Sequence, residues 1–141
     1  VSNVAILLPS AALVGLTLVV ALVMYSRRIA EMRARRIAPQ SIALSAQAAA
    51  AFQDTRAADN FRNLFELPVL FYVLCVALAA AGLVGTLYVV AAWVFVALRV
   101  LHSLIHCGYN RVMHRFRVFT AGMIVLFVMW GAFVWDLLRA A

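Results

Sequence analysis

The stretch Asp59–Tyr72, DNFRNLFELPVLFY, decides how this chain is read. It leads into 32 residues, Leu67 to Leu98, that carry no charge. A helix rises about 1.5 Å per residue and about 20 apolar residues cross a bilayer, so a single helix of that length overshoots the membrane. The tract AAGLVGTLY divides it, because Gly82, Gly85 and Thr86 favour a tight turn. The segment therefore predicts a hairpin of two spans, about residues 59–82 and 86–108. Yet Arg62, Asn63 and Glu66 stand in the first turns of that hairpin, where hydrocarbon begins.

Outward from the hairpin, Val4 to Tyr25 is 22 residues without a charge and predicts a first helix over about 4–28. Pro9 falls in its first turns, where a missing N–H is tolerated. Arg27 and Arg28 end the apolar run. Residues 29–57, basic and then Ala-rich, read as a loop with a short helix from Ile42 to Phe52. Val118 to Trp135 supplies a fourth span, expected over about 115–138. The fold class is all-α, an integral membrane four-helix bundle in one domain over 1–141.

Composition agrees. Hydrophobic residues make up 67% of the chain, where soluble domains run nearer half. The net charge of +7 comes from twelve arginines and no lysine against five acids. Nucleic acid is not the expected partner, since the basic residues flank apolar spans. Eleven of the twelve arginines lie on or beside the first and third connections, and only Arg139 lies at the other end. That asymmetry predicts an arginine-rich cytoplasmic face with affinity for anionic lipid, and both termini on the non-cytoplasmic side. The first apolar run lacks a basic lead and a small-residue cleavage site, so it reads as a retained span. Cys75 and Cys107 form neither a C-x-x-C pair nor a metal spacing and read as packing residues.

The polar residues of the hairpin recur at helical steps. Asp59, Arg62 or Asn63, and Glu66 form one stripe on the second helix. Arg99, His102 and His106, followed by Tyr109 and Asn110, form another on the third. The antiparallel hairpin brings both stripes to one depth. An ionised group in hydrocarbon costs at least about 2.5–3.5 kcal/mol, so these faces must meet protein or a wet cavity. One reading is an internal glue, Arg62 with Glu66 and Glu66 with Arg99. The other is a ligand site. Guanidinium forks match an anionic ligand. His102 and His106 at i, i+4 have the spacing of metal ligands, but no acid–His pattern accompanies them, and a haem would need an axial partner on another helix. No metal is assigned.

At these residues the chain resembles the MAPEG family, the membrane-associated proteins of eicosanoid and glutathione metabolism. RNLFELPVLFY on the second helix and ALRVLHSLIHCGYNRVMHRFRVF on the third helix and its exit carry the resemblance, with RARRIAP after the first helix. It covers nearly the whole chain and is closest in look to bacterial members. It implies a bacterial inner-membrane protein, a homotrimer of four-helix bundles, with glutathione bound between subunits near the cytoplasmic side. It implies a membrane transferase or peroxidase that activates the thiol toward lipophilic small molecules. Asn63 and Glu66 would contact glutathione, with Arg62 beside them, and Arg99 would join from the third helix. Arg36, with Arg35 beside it, would come from the end of the first helix. Arg115, or Arg117 in another register, would activate the thiol. The chain departs from the family pattern at Asp59, where an arginine is common, and at His102 and His106, where tyrosines are found. Histidine does occur at the first of these two. Tyr109, one turn beyond His106, is the substitute the resemblance suggests. The rival reading is a non-catalytic trimeric protein that binds membrane lipids or serves as a scaffold.

Overall fold

The computed structural model describes residues 2–140, and all of its regular elements are helical. Helix α1 spans Leu7–Arg35, α2 Ser45–Ala51, α3 Arg56–Asn63, α4 Leu67–Ala81, α5 Thr86–Cys107 and α6 Val112–Ala140; a 3₁₀ turn covers Pro39–Ile42. Four segments are long and apolar enough to cross a membrane: α1, α3 with α4, α5, and α6. The hairpin turn falls where the glycines put it. Gly82 takes a left-handed conformation at φ 68°, and Leu83 N–H returns to the Leu78 carbonyl at 3.1 Å, closing α4.

Two boundaries differ from the sequence reading. Helix α1 runs on to Arg35, well past Arg28, because the residues after Arg28 are mostly good helix formers and Arg35 pairs with Glu31 at 2.7 Å. It stops at Arg36, which turns left-handed at φ 52°. The second span is not one helix. Pro68 has no N–H to offer the Leu64 carbonyl, so the ladder breaks between α3 and α4. Shorter bonds bridge the gap: Phe65 N–H to Arg62 O at 3.0 Å, and Glu66 N–H to Asn63 O at 3.3 Å.

The core is apolar and lies between the spans. Phe71 of α4 stacks on Phe95 of α5 with centroids 4.6 Å apart. Leu13, Leu74, Leu78, Leu126 and Phe133 close around them. Gly122 lets α6 approach Phe95 and Leu98 of α5. Large apolar side chains cover the outside, Leu8, Leu18, Val76, Leu87 and Val128 among them. A soluble protein rarely exposes so wide an apolar surface; bilayer hydrocarbon accommodates it.

Candidate functional site

The break before Pro68 sets up the site. The Asn63 carbonyl, which accepts from Glu66 N–H at 3.3 Å, is also approached by an Arg99 guanidinium nitrogen at 3.4 Å. The same nitrogen donates to Asn63 Oδ1. Asn63 Nδ2 in turn donates to Glu66 at 2.8 Å. Asn63 therefore bridges Arg99 and Glu66, and the direct Glu66–Arg99 pair expected from the sequence is replaced by this relay. Arg62 turns toward Asp59, 4.0 Å away, rather than toward Glu66.

Arg99 is 1% exposed, the largest fully buried side chain among the described residues. Its guanidinium lies 5.7 Å from the Phe119 ring centroid, a cation–π contact. Its Nε and Nη1 have no hydrogen-bond partner. A buried charge with orphaned donors is costly unless something completes its shell.

One and two turns further along α5 stand His102 and His106, both buried, with ring centroids 5.4 Å apart. Both ring nitrogens of His102 and Nδ1 of His106 are enclosed and unpartnered. These rings, Asn63, Val112, Arg115, Phe116 and Phe119 line a cavity of about 260 Å³ between the end of α5 and the start of α6. Arg115 is held at its rim by a 2.7 Å bond from Nη1 to Asn110 Oδ1. Asn110 makes the turn between the helices, left-handed at φ 50°, with its N–H on the Ile105 carbonyl at 2.8 Å. The cavity is thus lined by an arginine, two imidazoles and two aromatic rings. That suits a small ligand with an anionic group and an apolar reaction partner.

Within the single chain, Asn63, Arg99, His102, His106 and Arg115 come together, with Glu66 attached through Asn63. Arg36, Arg62 and Tyr109 do not join them. Arg36 is exposed at the end of α1. Arg62 lines a different hollow, shared with Arg28, Phe52, Asp54 and Asp59. Tyr109 is mostly exposed, with its hydroxyl 3.1 Å from His114 Nδ1. Among the described residues no group of three or more His, Cys, Asp or Glu side chains is placed to hold a metal ion.

Sequence reasoning missed Asn60 and Asp54. Asn60 is fully buried on the face of α3 turned to α5, within reach of Ser103 Oγ at 3.4 Å and Cys107 Sγ at 3.5 Å. Its place one turn before Asn63 was the available signal. Asp54 holds Arg56 through bonds of 2.8 and 2.9 Å and Arg27 at 3.4 Å. Arg27 and Arg56 also cap the end of α5, donating to the Cys107 and Gly108 carbonyls. This clasp fixes the first connection against the helix that carries the histidines.

The family whose model matches the sequence is the MAPEG family, over residues 6–135. No curated protein and no solved structure matches the chain.

Proposed function

The chain belongs to the MAPEG family, and from that premise we propose that it is a membrane-embedded, glutathione-dependent transferase or peroxidase acting on lipophilic electrophiles by thiolate activation. One observation carries the proposal: a cavity beside α5 and α6 with Arg115 at its rim and the orphaned donors of Arg99 behind it. A free thiol with pKa about 8.5 is mostly protonated at neutral pH. A guanidinium beside the sulfur favours the anion, and the thiolate is the nucleophile. Phe116 and Phe119 offer the apolar wall against which an electrophile from the bilayer would lie. No nucleophile on the protein is required. Glutathione would meet Asn63, held from behind by Arg99, and present its ammonium to Glu66.

The exposure of Glu66, Arg62 and Arg36 in the single chain supports a homotrimer in which these groups turn to a neighbouring subunit. With Arg33, Arg35, Arg111 and Arg117 they also form a basic rim suited to anionic headgroups. That rim, at the end we assign to the cytoplasm of a bacterial inner membrane, is what favours the second reading, a lipid-binding scaffold. The test is turnover by the purified protein in lipid nanodiscs, with glutathione and either an activated aryl halide or a lipid hydroperoxide. Saturable conjugation or reduction supports the enzyme. Absence of both, with anionic phospholipid retained through purification, supports the scaffold.

A further inference from the structure

Donors and acceptors are unevenly supplied around the cavity. Arg115 can only donate. The Asn63 amide is committed on both sides, Oδ1 to Arg99 and Nδ2 to Glu66. Val112, Phe116 and Phe119 offer no polar side-chain atom. The imidazoles are the lining side chains whose acceptor nitrogens carry no hydrogen-bond partner. His102 is enclosed at both ring nitrogens and His106 at Nδ1, which leaves His106 Nε2 as the one ring nitrogen of the pair that is not enclosed. A ligand that brings a proton to this space finds an arginine for its anion and one imidazole for its hydrogen.

We propose that His106 is the base that takes the thiol proton in this cavity, so that thiolate and imidazolium form together. The inference rests on the glutathione-dependent reading above. The S–H bond breaks, its electron pair stays on sulfur facing Arg115, and the proton forms an N–H bond at His106 Nε2. No oxidant or reductant takes part. Forming the two charges as a pair adds no net charge to a semi-enclosed space, where an unpaired charge is expensive. In water a thiol near 8.5 gives its proton to an imidazole near 6.5 against a gradient of about two pK units. A guanidinium next to the sulfur narrows that gap on the thiol side, while its charge and that of Arg99 oppose the imidazolium. The groups facing His106 are Arg99 and His102 on its own helix, Arg115 on α6 and Asp59 on α3. Asp59 balances part of the positive charge around the ring. The electrophile then consumes the thiolate, and the imidazolium returns its proton to the leaving group or to water at the mouth of the cavity.

The experiment counts protons. Full-length protein is mixed rapidly with glutathione at neutral pH in weak buffer containing a pH-indicator dye. Thiolate is followed by its ultraviolet absorbance and proton release by the dye. In the wild type, thiolate should appear with little or no proton reaching the solvent. In His106→Gln it should appear at least about 100-fold more slowly, the range of a general base, and release about one proton for each thiolate formed. S-Methylglutathione has no thiol proton and should bind both proteins equally, which reports an intact cavity. One proton released per thiolate in the wild type overturns the assignment of His106 while leaving glutathione activation standing. No thiolate at all in the wild type overturns the assignment together with the reading beneath it. Should the glutamine variant fail to bind S-methylglutathione, the wild-type count alone decides.

Discussion

Among the described residues Asn63 is the only hydrogen-bond partner of the buried Arg99, and that makes a sharp prediction. Asn63→Ala removes the Oδ1 contact of Arg99 and leaves a 1%-exposed guanidinium with only a 3.4 Å carbonyl contact. Removing the hydrogen-bond partner of a buried charged group costs about 1.5–3 kcal/mol, so the expected loss is about 2 kcal/mol. Arg99→Met behaves differently. It removes the charge with the partner, fills similar volume, and leaves a half-exposed Asn63 still bonded to Glu66. Its expected cost is about 1 kcal/mol, the worth of an ordinary hydrogen bond. The double variant should be more stable than Asn63→Ala alone. Equilibrium unfolding in mixed micelles, read by tryptophan fluorescence, measures all three. The reasoning fails if Arg99→Met is the more damaging single change, or if Asn63→Ala lies within about 0.5 kcal/mol of the wild type, the scatter of an ordinary surface substitution.

Three further outcomes follow from the geometry. Hydrogen bonds from Arg56 hold the Asp54 carboxyl below its ordinary 3.8, at about 2. Its folded value lies under its unfolded value, so the clasp stabilises above pH 4 and is lost as pH falls toward 2. With the side chain 30% exposed, solvent screening leaves about 1 kcal/mol, which Asp54→Asn should remove at pH 7 and not at pH 2 when acid unfolding curves are compared. Pro68→Ala restores the N–H that the Leu64 carbonyl lacks, so amide exchange of residues 64–67 should slow. Glu66→Ala should weaken glutathione binding about 30-fold by calorimetry, the loss of one charged partner in a half-buried site.

Much of the fold was legible because hydrophobic length and glycine placement are local properties. The Gly82–Thr86 turn lies where the glycines predicted it. The break before Pro68 was missed because an apolar run looks continuous even when one residue has no N–H. The end of α1 was missed because charge was taken as a stop, whereas Arg33, Arg35 and Glu31 are helix formers that reach solvent. At the site, the i, i+4 spacing of His102 and His106 was readable, and the burial of Arg99 followed from its depth. The Asn63 relay was not readable: spacing put Glu66 and Arg99 on facing stripes but cannot say which atom lies between them. Asp54 was invisible for a related reason: its partners Arg27 and Arg56 stand on α1 and α3 and themselves reach the end of α5, an arrangement only tertiary structure makes.

The claim that Arg115 at the cavity mouth creates a thiolate is tested most directly by one titration. Glutathione is added to the wild type and to Arg115→Ala, with ultraviolet difference absorbance and binding heat recorded on the same samples. Wild type should show a thiolate band that saturates with the binding isotherm at neutral pH. Arg115→Ala should bind with similar affinity and show no band until the pH approaches about 8.5, the value of a free thiol. A wild type that binds glutathione without a thiolate band, or a variant whose band equals that of the wild type, would contradict the account.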